Sequence, residues 1–449
     1  APSVIVRDAN NNPVSGETVT FAVATGGGTI TGATATTNTQ GIATLGSWTL
    51  GTTAGSNTVT ATRAGLTGSP LTFTATGTPG AATTLLITTE PSATAQNDVN
   101  FAQQPTVQLK DASGNNVAQT GVTITAVIAS GANTLGGTLT ATTDANGLAT
   151  FTNLKITGAT GDRTIRFTSG NLTPDTSRTV SITPGAATQI AIITQPSTTA
   201  QSGVDFAQQP VVELRDISGN PVPTAGTSIT VAIATGGGTL GGTATITTDA
   251  NGRATYSGLN ITGTAGDRTL SFASNGLTGA TSNNINITPG AATQLAIATE
   301  PSATAQNDVN FAQQPTVQLK DASGNNVAQA GVTITAVIAS GANTLGGTLT
   351  ATTDANGLAT FTNLKITGAT GVRTFSFTSG SLTPDTSTNI TLTPGAATQI
   401  AIITQPSPTA QSGSNFAQQP VVELRDISGN PVPTAGTSIT VSIATGGGT

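Results

Sequence analysis

An all-β chain, folded as a tandem array of two-sheet sandwiches, is predicted by three observations. The word TPGAAT returns at 78–83, 183–188, 288–293 and 393–398, a constant interval of 105 residues. Inside each interval, short runs rich in Val, Ile, Thr and Phe alternate with Gly, Pro, Asn and Asp turns, and no stretch keeps a helical period. Hydrophobic residues make up 36% of the chain, enough to build cores, but thin ones. A fixed period of this kind marks a repeat architecture.

Divided at the Pro-Gly of each word, the 449 residues give units 1–80, 81–185, 186–290, 291–395 and 396–449. Units 81–185 and 291–395 differ at 13 of 105 positions, among them Thr120/Ala330, Asp162/Val372 and Ile165/Phe375. Unit 186–290 matches 396–449 almost as closely, with changes at Thr198/Pro408, Val204/Ser414, Asp205/Asn415 and Ala232/Ser442. The array therefore alternates an A unit (81–185, 291–395) with a B unit (186–290, 396–449), copied as a pair. Segment 2–14 aligns with 210–222, and the last unit stops at the GGGT of 446–449. The first unit thus reads as N-terminally incomplete and the last as C-terminally incomplete, a window on a longer repetitive protein.

Within the B unit, strands are expected at 189–197, 210–216, 228–235, 244–249, 254–262, 268–274 and 283–289, about seven per unit. Turn chemistry separates them: SGNP at 218–221, GGGTLGG at 236–242, DANG at 249–252 and GTAGD at 263–267. Seven short strands in about 105 residues is the pattern of an immunoglobulin-like β-sandwich. Phe206, Tyr256 and Phe272 recur one period earlier as Phe101, Phe151 and Phe167, the regularity expected of core anchors and not of a ligand-stacking surface.

The joints are assigned to Pro79-Gly80, Pro184-Gly185, Pro289-Gly290 and Pro394-Gly395. Proline fixes φ and offers no ladder donor, so it ends the outgoing strand, while glycine is expected for the freedom it gives a turn. Ala-Ala-Thr opens the next strand at once. So short a linker predicts a repeated angle between units and a semi-stiff rod.

Composition excludes most chemistry. The chain has no Cys, Met or His, so thiolate or imidazole catalysis has no side chain to run on, and disulfides are absent. A carboxylate pair is disfavoured because Asp162 becomes Val372 in the near-copy. No enzyme is expected. With 14 Lys and Arg spread over the whole length and a net charge of −6, no nucleic-acid patch forms, and no apolar run approaches a membrane span. Charged residues are 8%, about a third of the usual share, which leaves a neutral, hydroxyl-rich surface. Asp111 and Asn115 in DASGN, and Asp144 and Asn146 in DANG, space oxygen ligands like a calcium loop, but neither is followed by the bidentate Glu of an EF-hand. Tight-turn capping is the favoured reading and calcium the weak rival; no other cofactor is implied.

The stretch VRDANNNPVSGETVTFAV at 6–23, with GGGTITGATATTNTQGIATLGSWTLGTTAGSNTVTAT at 26–62, resembles bacterial Ig-like domains of the Big-1 (invasin/intimin-like) type. Its marks are the D-x-x-G/N-N-P-V turn, the T-T-D/N-x-x-G-x-A hairpin and a G-x-W-T-L-G strand; later units share the first two and lack the Trp. The resemblance implies an extracellular or cell-surface location. It also implies a structural repeat region of a fibre or stalk, whose partners are other copies of itself or neighbouring Ig-like repeats. The alternative is a set of adhesin modules that bind a glycan or a surface receptor.

Overall fold

The computed structural model describes residues 1–446, and among these every regular element is a β-strand. The B unit shows the plan. One sheet joins Gln189–Thr194, Val211–Arg215 and Arg253–Thr255 in antiparallel order. The larger sheet runs Thr199–Gln201, Ile285–Thr288, Gly266–Ala273, Ser228–Thr235 and Thr245–Thr247, with the first pair parallel and the rest antiparallel. A two-stranded ribbon, Thr239–Gly241 with Asn260–Thr262, closes one end.

The expected run 254–262 is two strands, not one. Its midpoint turns at Gly258 with φ of 67°, sending Asn260–Thr262 away from the sheet to pair in the ribbon. The A units place Asn153 and Asn363 there at φ of 58° and 59°, the left-handed region that Asn enters more readily than other non-glycine residues. Short pieces at Thr199–Gln201, Thr239–Gly241 and Ala280–Thr281 also add to the seven expected runs. Such two- and three-residue pieces carry too few alternations to register in a periodicity.

Alternating residues of both sheets fill one core in each of the four units from 1 to 395. Phe101, Phe151, Phe167, Phe206, Tyr256 and Phe272 all lie in these cores, none more than 3% exposed. Phe151 stacks tilted on Phe167 with centroids 5.1 Å apart, and Tyr256 on Phe272 at 5.5 Å. Each fully buried ring is worth roughly 1.5–3 kcal/mol relative to exposure. The Tyr256 hydroxyl donates to the Ile229 carbonyl at 2.9 Å, and burial raises its pKa to about 12. The first unit has a smaller core around Val19, Phe21 and Leu45, with Trp48 packed against it.

Outward positions of the larger sheets are mostly threonine: Thr18, Thr20, Thr62, Thr72, Thr74 and Thr76 are exposed in the first unit. Several such hydroxyls bond across strands, as Thr230 with Thr245 at 2.9 Å and Thr235 with Thr269 at 2.8 Å. One edge of these sheets is only three residues long in each unit from 81 to 395: Thr140–Thr142, Thr245–Thr247 and Thr350–Thr352. Within 396–446, Gln399–Thr404 pairs with Val421–Arg425.

Candidate functional site at the inter-unit joints

Each joint glycine lies 31 residues before the aspartate of a D-x-S-G-N turn, and the fold brings the two together. The turn forms locally. Asp216 follows the strand Val211–Arg215, and its Oδ1 accepts from the main-chain N–H of Ser218 and of Asn220, both at 2.9 Å. Gly219 supplies the positive φ, 82°, that lets the chain reverse. With Oδ1 engaged in the turn, Oδ2 is left to reach beyond it.

That oxygen accepts the N–H of Gly185, in the linker from the preceding unit, at 3.0 Å, and the Asn220 carboxamide at 2.9 Å. The same Asn220 pairs with the main chain of the preceding unit: its Nδ2 donates to the Gly158 carbonyl at 2.8 Å and its Oδ1 accepts from Thr160 N at 3.1 Å. Asn97, on the preceding unit, completes the joint. Its Nδ2 donates to Asp216 Oδ2 and to Ser218 Oγ, both at 2.9 Å, while its Oδ1 accepts from Gly158 N at 2.8 Å. The linker is therefore part of an interface between folded units.

Asp216 is fully buried, and among the described residues it forms no salt bridge; N–H donors surround its carboxylate instead. Burial pushes its pKa up, but hydrogen bonds from the Asn220 side chain, the Gly185 N–H, the Asn220 N–H and the Asn97 side chain outweigh that and hold it below the ordinary range. An ionised carboxylate in such a place is tolerated only because its lone pairs are met.

The same turn recurs at every joint. Asp111 accepts Gly80 N at 2.9 Å, while Asn115 donates to the Thr52 carbonyl and accepts from Ala54 N, each at 2.8 Å. Asp321 accepts Gly290 N at 2.8 Å, and Asn325 pairs with Gly263 O and Ala265 N. Asp426 accepts Gly395 N at 3.0 Å, and Asn430 pairs with Gly368 O and Thr370 N. Asn307 repeats the bonds of Asn97 to Asp426 and Ser428. Where a B unit precedes an A unit, however, Ser202 takes the place of Asn97 and makes no bond to Asp321.

The role expected of the joint glycines needs revision. None of Gly80, Gly185, Gly290 and Gly395 adopts a positive φ, so turn freedom is not what selects them. Close approach is. A Cβ on Gly185 would meet the Asn97 carbonyl at 2.7 Å, on Gly290 that of Ser202 at 2.9 Å, and on Gly395 that of Asn307 at 2.5 Å. At Gly80 the nearest atoms are 3.8 Å away. Pro79, Pro184, Pro289 and Pro394 precede these glycines and are half-buried.

The two calcium candidates separate. Asp111 and Asn115 belong to the first joint, where every carboxylate oxygen accepts from an N–H. Asp144 and Asn146 form an exposed hairpin turn, with Asp144 Oδ1 accepting from Asn146 N at 2.8 Å and Leu148 N at 2.9 Å. Among the described residues, no group of three or more acidic side chains is gathered. Asp216, Asn220 and Asn97 were not singled out as site residues from sequence. Their signal was the constant spacing of 31 from Gly to Asp and the alternation Asn97, Ser202, Asn307, Ser412 at one position.

A family model described as SMCHD1 Ig-like domain 6 matches residues 79–183 and 290–406. Among curated proteins, none matches the chain. Similar solved structures include the D0-D1 domain of intimin, 21% identical, covering 46% of this chain and 98% of that one, with a TM-score of 0.19. Invasin, described as a bacterial integrin-binding protein, is 14% identical over 90% of this chain and 78% of its own, with a TM-score of 0.28. The Escherichia coli adhesin FdeC is 17% identical over 70% of this chain and 99% of its own, with a TM-score of 0.27.

Proposed function

We propose that this chain is the structural repeat region of a bacterial extracellular fibre or surface stalk, giving reach and stiffness without catalysis. The observation that carries the reading is the joint. A linker whose N–H is held by the next unit's buried carboxylate, beside an Asn paired to the previous unit's main chain, fixes one unit on another. The neutral threonine faces suit a solvated rod, and the three-residue edge strands of the larger sheets count against lateral strand addition along those edges.

A unit of about 35–40 Å along its strands puts the array on the order of 150 Å long. Small-angle scattering and electron microscopy of the purified chain should show a thin rod of about that length; a compact globule would sink the reading. The competing function, binding a glycan or a surface receptor, has less support: the six recurring rings are buried, so they offer no stacking platform for a sugar. Glycan-array binding by the chain would restore it.

A further inference from the structure

We propose that the joints alternate in strength, so that the array yields at its B-to-A joints and the mechanical repeat is the A–B pair of 210 residues. This inference rests on the rod reading above and adds where the rod bends. The sequence carries the alternation at one position: Asn97 and Asn307 on the A units, Ser202 and Ser412 on the B units.

At the A-to-B joints the Asn is 2% exposed and ties three groups together. Asn97 grips the incoming carboxylate of Asp216, the incoming Ser218 hydroxyl and its own unit's Gly158 N–H; Asn307 does the same with Asp426, Ser428 and Gly368. At the B-to-A joint the shorter Ser202 spends its hydroxyl on its own unit, bonding both N–H and C=O of Gly263 at 3.1 Å. Across the boundary it reaches only the Ser323 hydroxyl, at 3.3 Å. The carboxylate of Asp321 thereby loses its one side-chain donor from the preceding unit.

Burial follows the same order. Asn220 and Asn430, on the receiving side of A-to-B joints, are buried, whereas Asn325 is half-buried. The joint glycine bond does not account for the difference, since it is no longer at Gly290 (2.8 Å) than at Gly185 (3.0 Å). What distinguishes the joints is a charge-assisted hydrogen bond that spans the boundary in one and is missing in the other. Bonds of this kind are the stronger class.

Site-resolved amide hydrogen exchange on the full chain reads each joint through its glycine N–H. Opening of a joint frees that N–H, so its exchange rate reports the joint's own stability. Gly185 and Gly395 are expected to exchange about tenfold more slowly than Gly290, the factor corresponding to loss of one hydrogen bond to a charged group. Asn97→Ser should speed Gly185 to the rate of Gly290, and Ser202→Asn should slow Gly290 to that of Gly185. Each residue already occupies the equivalent position in a neighbouring unit, so both variants are compatible with the fold. Equal protection at Gly185 and Gly290, or rates unmoved by the two exchanges, overturns the inference and leaves the rod intact. No protection at any of these glycines overturns the rod reading as well.

Discussion

Two turns in each unit from 81 to 395 begin with Asp and close on Gly, and their fates differ. The DANG turn at Asp249 is a local device: its Oδ1 accepts from Asn251 N and Arg253 N at 2.8 Å, and it lies exposed on a hairpin. The D-x-S-G-N turn at Asp216 has the same inner bonds, to residues two and four further on, but its second oxygen reaches into the preceding unit. The inner chemistry is shared. What a turn does for the molecule depends on what lies opposite its free oxygen.

The largest effect that would separate the two turns is expected from Asp216→Ala. It strands the buried Gly185 N–H and the Asn97 and Asn220 carboxamides, and should weaken the joint by about 2–3 kcal/mol. Scattering should then show a wider spread of rod lengths while each unit's core stays folded; an unchanged profile would place the joint's strength elsewhere. Asp249→Ala should do the reverse, lowering the melting temperature of its own unit by a few degrees and leaving rod shape alone.

A smaller and graded effect is expected at the glycines. Gly185→Ala drives a methyl against the Asn97 carbonyl and should displace the joint, whereas Gly80→Ala has 3.8 Å of clearance and should be tolerated. Scattering curves of the two variants, recorded side by side, test this; equal distortion would contradict close approach as the reason for glycine.

Acid should sharpen the comparison further. Asp111 is held at about 2, against an ordinary 3.8, first by the Asn115 carboxamide and next by the Gly80 N–H. Because its folded pKa is depressed, its contribution is complete above the unfolded value and is lost as pH falls toward the folded one. Asp144 is also lowered, chiefly by the Leu148 N–H. Both turns lose support as pH falls below the ordinary carboxylate value, the Asp111 turn down to about 2, but only the joint turn should change the rod's dimensions, as pH-dependent scattering would register. The smallest effect is expected from calcium. Its addition or chelation should alter neither melting nor rod length, because the Asp111 carboxylate is already met by N–H donors. A chelator-induced loss of stiffness would reinstate a metal.

Much of this was legible in the order of residues. Period, alternation of units, β class and core rings depend on local spacing and on which residue types avoid water, and both are written along the chain. Phe151, Phe167, Tyr256 and Phe272 announced themselves by recurring. The split of 254–262 into two strands was not legible, since it depends on a single left-handed residue, Gly258 or Asn153. The joint was half legible. Pro-Gly marked where units meet, yet the turn that holds them together read as an ordinary cap, because a capping Asp satisfies its nearest N–H groups in the same way wherever it sits. Only the tertiary structure decided that Asp216 faces Gly185 and Asn97, by stacking one sandwich on the next. A carboxylate has two oxygens: local sequence governs what the first one bonds, and the neighbouring unit governs the second.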